Sequence, residues 1–229
     1  MLRAKKKISK RELKEDALIT TYVKARTFYE THKKNVKVAV TALAVIAVAS
    51  VLYVNNQTQN NENATAQLGR VFQYYDNGQF QVAIDGVPER NIVGLKTIVE
   101  NYGSTHAGEL AKFYLANAYF HLGRYAEALT VFEDFDTDDP LLDGSRLCGI
   151  AGCYEAEGQY MEAAKYFEKA ATKYPEAVNA AESLNHAAHN YALGGQKDKA
   201  IELYKRLTKR YPTTSFAREA DRFIAQLTV

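Results

Sequence analysis

The sequence lacks the short motifs on which most enzymes depend. It contains no Gly-rich phosphate loop, no nucleophile elbow and no metalloprotease helix motif. Glu182, His186 and His189 share one face of a predicted helix and form a candidate ligand set, but a further strong metal ligand is not evident. We therefore predict a protein that is not an enzyme, with no catalytic residue, no metal site and no cofactor. A metal-dependent enzyme that uses these three residues is the alternative.

Cysteine is scarce as well. The two cysteines, Cys148 and Cys153, are five positions apart on one predicted helix. Their side chains then point roughly 140° apart, and their Cα atoms lie beyond the ~7 Å limit for a disulfide. Both occupy positions where small residues pack, which favours free thiols that are buried or line a groove.

Charge is missing from one long stretch. Residues 38–54 are apolar apart from two hydroxyl residues and one tyrosine, and no Lys or Arg occurs between Lys37 and Arg70. As a helix the run spans roughly 26 Å, close to the ~30 Å hydrocarbon layer of a membrane. A buried core helix is the alternative, but the run has no polar face and no segment before residue 64 could cover it. We predict a transmembrane helix.

The flanking charges predict its orientation. Residues 1–54 contain twelve Lys or Arg and four Asp or Glu, whereas the remainder contains seventeen and twenty-three. This excess of basic residues keeps the N-terminus cytoplasmic and places the C-terminal part outside. Signal peptidase could cleave at the small residues 47–49. However, the apolar run continues beyond them to Val54, which favours an uncleaved signal anchor.

These features divide the chain into four parts. We predict a basic cytoplasmic helical segment (1–35), a transmembrane signal anchor (36–54), a polar linker (55–63) and a domain of helical repeats (64–229). The linker is rich in Asn and Gln and has no apolar face, so we expect a flexible tether.

The last part contains an internal repeat. Small and aromatic residues recur after 35 and then after 37 positions, which is typical of stacked helical hairpins. The matching sets are Leu115, Ala116, Tyr119, Ala128, Phe132 and Pro140, then Ile150, Ala151, Tyr154, Ala163, Phe167 and Pro175, and then Ala187, Ala188, Tyr191, Ala200, Tyr204 and Pro212. We expect Gly123, Gly158 and Gly195 to end the first helix of each pair, and the prolines to follow the second.

Two less regular elements flank these copies. Tyr74, Phe80 and Ala83 match the repeat at a shift of 45, which predicts a degenerate leading repeat. Its second helix is delayed by an insertion at 85–91. At the other end, residues 216–227 carry one apolar stripe and predict a capping helix.

The repeated residues resemble the tetratricopeptide repeat over roughly residues 109 to 212. The resemblance implies an all-α solenoid with about three regular repeats, one degenerate leading repeat and a C-terminal capping helix. In that family the first helix of each repeat lines a concave groove. The corresponding positions here are Leu110, Phe113, Tyr114, Asn117, Phe120 and His121, then Ser145, Cys148, Gly149, Gly152, Glu155 and Ala156, and then Glu182, Asn185, His186, His189, Ala192 and Leu193.

Eight of these positions are our candidates for a partner-binding groove: Phe113, Tyr114, Asn117, Phe120, His121, Asn185, His186 and His189. The groove positions include no Lys or Arg, so the clamp by which some family members hold C-terminal carboxylates is not expected. Aromatic and amide side chains suit an extended polypeptide instead. The alternative for Phe113 and Phe120 is that the preceding hairpin covers them.

The layout as a whole resembles the YfgM-like ancillary subunit of the bacterial Sec translocon. The resemblance implies a single-pass inner-membrane protein with a periplasmic domain that contacts translocon subunits, membrane-tethered chaperones or client polypeptides. It implies no nucleic acid and no small-molecule substrate. The alternatives are an envelope-assembly adaptor for outer-membrane protein insertion or cell division, and an import receptor of a eukaryotic organelle.

Overall fold

The computed structural model describes residues 10–228, with side chains from residue 19 onward. The chain divides into two compact units, residues 1–57 and 58–229, and each is described by itself. The first unit contains helix α1 (Lys10–Thr31) and the beginning of helix α2 (Lys33–Asp76). The predicted N-terminal helix corresponds to α1, and residues 1–9 lie outside the described part.

The apolar run in α2 is exposed along its whole length. The side chains of Val38, Leu43 and Val51 are 69%, 66% and 68% exposed. Between residues 10 and 228, α2 is the one helix long and apolar enough to cross a membrane, and none of its apolar window is buried. This exposure disagrees with a core helix of a soluble domain, which would be covered.

The prediction of a flexible tether at 55–63 is wrong, because these residues lie within α2. Two contacts in the second unit explain the helix. Ala64 is fully buried, and Asn61 Oδ1 accepts a hydrogen bond of 2.9 Å from the backbone N–H of Ala107. Asn61 thus satisfies an amide in the first turn of a later helix, which would otherwise have no partner.

The leading repeat is present, and its insertion contains a small β-hairpin that the sequence analysis missed. The elements are the end of α2, α3 (Phe80–Asp85), β1 (Gly86–Val87), a 3₁₀ turn (Pro88–Arg90), β2 (Ile92–Val93) and α4 (Leu95–Tyr102). The strands are antiparallel, with Gly86 opposite Val93. Gly86 has a φ of 81°, and Asn91 closes the turn in the left-handed region.

Three helical pairs and a final helix follow. They are α5 (His106–His121) and α6 (Tyr125–Asp134), α7 (Pro140–Ala156) and α8 (Tyr160–Lys173), α9 (Ala180–Leu193) and α10 (Lys197–Arg210), and α11 (Ser215–Leu227). The all-helical repeat architecture agrees with the prediction. Pro140 not only follows α6 but is the first residue of α7. At this position its missing N–H costs no hydrogen bond, because the first amides of a helix have no partner within it.

The turn inside each pair is the same. Gly123, Gly158 and Gly195 have φ values of 73°, 73° and 80°, as expected for left-handed helix ends. In each turn the amide after the glycine donates to a tyrosine carbonyl four residues before the glycine, as between Arg124 and Tyr119. The leading repeat has this turn too, since Gly78 has a φ of 71° and the amide of Gln79 donates to the carbonyl of Tyr74.

The core of the second unit forms two clusters. The first joins α2, α3, α4, α5 and α6, and includes buried Leu68, Ile98 and Phe132. The second joins α7 to α11, and alanines supply many of its closest contacts. Short side chains let neighbouring helices approach closely.

Candidate binding groove

The aromatic groove candidates of the first complete repeat are engaged in packing. Phe113 is half-buried, with ring centroids 6.3 Å from Phe132 and 5.6 Å from Phe135. Tyr114 instead packs edge-on against Tyr75 of α2 at 5.0 Å. The ring contacts of Phe113 therefore lie within its own repeat, whereas Tyr114 contacts the leading repeat.

Phe120 contacts the following repeat. Its ring lies 5.4 Å from that of Tyr125 in its own repeat, and a Cβ added at Gly152 of α7, in the following repeat, would come within 3.2 Å of it. A Cβ at Gly149 would overlap the ring of buried Phe132. Gly149 and Gly152 are groove positions by sequence, but the structure uses them to admit aromatic rings from the preceding repeat.

The two polar candidates on α5 differ in exposure. Asn117 is half-buried, and its Nδ2 donates to the carbonyl of Phe113 at 2.8 Å. His121 is exposed and stacks on Phe80 of the leading repeat, with centroids 4.5 Å apart and an interplanar angle of 8°. The five candidates of the first repeat thus form an aromatic surface that is largely committed to internal contacts.

A cavity of about 160 Å³ lies between α7 and α9. Its lining residues are Cys148, Phe167, Asn179, Glu182, Ser183 and His186. Three of them occupy groove positions expected from the sequence, whereas Phe167 comes from α8 and is a repeat-core residue. We call this cavity together with the adjacent Glu155 the α7–α9 cleft.

The thiol in the cleft is hydrogen-bonded and neutral. Cys148 Sγ lies 3.2 Å from Ser183 Oγ, and Asn179 Nδ2 donates to the same sulfur at 3.9 Å. Burial raises the pKa of Cys148, and it raises the pKa of the buried Cys153 to about 12. Both cysteines are free, as predicted, and their raised pKa values make them poor nucleophiles near neutral pH.

His186 lies between two carboxylates. Its Nδ1 is 4.0 Å from Glu155 Oε1 on α7, and its Nε2 is 3.9 Å from Glu182 Oε1 on α9. The imidazole stacks on Phe167, with ring centroids 5.0 Å apart. The cleft therefore combines an aromatic wall with two acidic groups.

Two amides extend this polar region along α9. Asn190 is fully buried, and its Nδ2 donates to Glu155 Oε1 at 2.7 Å and to the carbonyl of His186 at 3.0 Å. The Oδ1 atoms of Asn190 and Asn185 are buried without a hydrogen-bond partner. Buried acceptors without a partner are uncommon in folded proteins.

His189, the last candidate, is exposed one turn beyond His186. Across residues 10–228, no group of three His, Cys, Asp or Glu side chains is arranged to hold a metal ion. Of the eight groove candidates, the structure brings Asn185, His186 and His189 onto α9 beside the cleft and gathers the other five on α5.

The sequence analysis missed one polar cluster with a structural role. Asp143 is buried, accepts hydrogen bonds from Arg146, Lys173 and Tyr174, and joins α7 to the end of α8. Burial alone would raise the pKa of Asp143, but these hydrogen bonds outweigh it and lower the pKa to about 2. No local motif marks the cluster, because Lys173 and Tyr174 lie about 30 residues from Asp143.

Comparisons with known proteins agree with this architecture. Models of the tetratricopeptide repeat match residues 104–141 and residues 146–213, so the chain contains tetratricopeptide repeats. The search of curated proteins gave no match. Such repeats imply a scaffold for protein–protein interaction, a class that is typically non-catalytic.

Solved structures share the fold. One similar chain, from Podosopora anserina, is named after kinesin light chains and has nearly identical TPR-like repeats. Its identity is 20% and its TM-score 0.55, over 73% of this chain and 86% of that chain. The structure of a point variant of those repeats gives a TM-score of 0.56 at 20% identity, over 73% and 85%.

Proposed function

We propose that the protein is a membrane-anchored scaffold whose repeat domain lies in the periplasm and binds polypeptides at the Sec translocon. Its partners would be translocon subunits, membrane-tethered chaperones or emerging client chains. The α7–α9 cleft carries the proposal. It is a cavity lined mainly by the helices expected to form the groove, with aromatic and hydrogen-bonding side chains that suit a polypeptide.

The membrane part of the proposal is supported by α2 and its flanks. Apolar side chains that are about two-thirds exposed are costly in water and favourable in lipid. The basic residues before them favour a cytoplasmic N-terminus. Protease added to intact spheroplasts tests this topology. Digestion of the repeat domain supports it, and full protection until the membrane is permeabilised contradicts it.

The partner is tested by affinity purification from gently solubilised membranes. We expect Sec subunits or periplasmic chaperones to be recovered with the full chain. Stable recovery of outer-membrane insertion or cell-division proteins in their place would favour the envelope-assembly adaptor. Recovery of no Sec or chaperone component would contradict the first proposal.

A further inference from the structure

The α7–α9 cleft presents acceptors with few donors. Glu155 Oε1 and Glu182 Oε1 lie on the two sides of His186, 4.0 and 3.9 Å from its ring nitrogens. The His186 imidazole can donate from one nitrogen when neutral and from both when protonated. Both distances are longer than a hydrogen bond, and of these two oxygens Glu155 Oε1 accepts one from Asn190 Nδ2.

No cation of the chain supplies the missing donors. Within the described part, no Lys or Arg forms an ion pair with Glu155 or Glu182, although other acidic side chains of the repeats have such partners. Glu155 is also only 30% exposed. A carboxylate as sheltered as that of Glu155 attracts a cation more strongly than one as exposed as that of Glu182, whose side chain is 54% exposed.

A buried amide lies one turn beyond His186 on α9. Asn190 Nδ2 donates to Glu155 Oε1 and so fixes the position of this carboxylate. A ligand with several N–H groups would satisfy the remaining oxygens of the two carboxylates. A ligand that is itself anionic would be repelled.

We propose that the α7–α9 cleft binds an arginine side chain of an extended partner segment, with the guanidinium over the partly exposed ring of His186 and paired with Glu155 and Glu182. Guanidinium is planar, carries five donors and stacks on aromatic rings, which fits two carboxylates on either side of the His186 imidazole. Lysine offers a point charge and no plane. This inference rests on the proposed polypeptide-binding function and specifies the chemistry of its ligand.

A peptide titration with the full chain in detergent tests it. The probe is a short fluorescent peptide with alternating leucine and serine around a central arginine. The control peptide has citrulline in place of this arginine, because citrulline is isosteric and uncharged. We expect the citrulline peptide to bind roughly tenfold more weakly. The double variant Glu155→Gln, Glu182→Gln should weaken the arginine peptide by a similar factor and leave the citrulline peptide unchanged.

The matched control is Glu100→Gln, Glu133→Gln, which removes the same charge from exposed positions outside the cleft. It should leave both affinities unchanged, and thermal unfolding should show that both double variants fold. Equal affinity for the two peptides, an unaffected Glu155 and Glu182 variant, or an arginine peptide that does not bind would overturn the inference. If crosslinks from His189 still capture a partner in cells, only the arginine preference fails. If they capture none, the proposed function fails too.

Discussion

The two junctions between the complete repeats differ in chemistry. Between α5–α6 and α7, the rings of Phe120 and Phe132 fill the space left by two glycines. Between α7–α8 and α9, His186 stacks on Phe167, a hydrogen bond joins Cys148 and Ser183, and a cavity of about 160 Å³ remains. The first junction also has a cavity of about 290 Å³, near the beginnings of α5 and α7. One repeat pattern therefore produces a junction where aromatic rings pack on two glycines and a junction with more polar contacts. We infer that the first stabilises the array and the second binds the partner.

The strongest test of the aromatic junction is Phe132→Ala. The ring is 1% exposed, so truncation should lower the free energy of unfolding by about 3–5 kcal/mol. Urea unfolding of the full chain in detergent, followed by helical circular dichroism, measures the loss. Phe72→Ala, at a ring that is 37% exposed, should have a clearly smaller effect. Equal effects would mean that the junction is not the stabilising contact.

The polar half of the domain should respond to acid, whereas the aromatic junction should not. The pKa of Asp143 is lowered from 3.8 to about 2, so its stabilisation is present at neutral pH and is lost as pH falls from about 4 to 2. Because Lys173 is half-exposed, we expect Asp143→Asn to lower stability by about 1–2 kcal/mol at pH 7. Unfolding curves between pH 7 and pH 2 measure this difference, which should shrink toward zero at the acid end. A constant difference across this range would contradict the assignment.

Two alanine substitutions test how tightly the aromatic rings pack against the two glycines of the aromatic junction. A methyl group at Gly149 would overlap the buried ring of Phe132, so Gly149→Ala should destabilise by about 1–2 kcal/mol despite the better helix propensity of alanine. At Gly152 the methyl group would approach the half-buried Phe120 at 3.2 Å, which the ring can relieve by a small shift. Gly152→Ala should therefore stay within about 0.5 kcal/mol of the parent. Thermal unfolding of both variants measures these effects. A Gly149→Ala variant as stable as the parent would show that the junction is loosely packed.

The sequence predicts the regular features because each one is local. The repeat period, the turn glycines and the groove positions Cys148, Glu182 and His186 all follow from spacing. The turn at Gly78 was also readable, because Tyr74 precedes it by the same four residues as in the other repeats. The spacing of these residues therefore predicts where one helix ends and the next begins.

The remaining features depend on contacts between distant residues. Asn61 lies in a segment whose composition is typical of a linker, yet its side chain accepts a hydrogen bond from the beginning of a helix 46 residues away. Asn190 and Glu155 are 35 residues apart, and only the stacking of α9 on α7 brings them together. The repeat period says which helices are neighbours, but the choice of side chain at each facing position decides which contacts each junction makes.

The central claim is that partners bind at the α7–α9 cleft and not at the aromatic surface of the first repeat. Photo-crosslinking in intact cells tests it most directly, with the crosslinker placed in turn at His189, at His121 and at Lys205, an exposed control position on α10. We predict a discrete polypeptide adduct from position 189 that is much weaker from 121 and absent from 205. In the Glu155→Gln, Glu182→Gln variant, the adduct from position 189 should be weaker than in the parent protein. Equal or stronger adducts from position 121, with none from 189, would contradict the account.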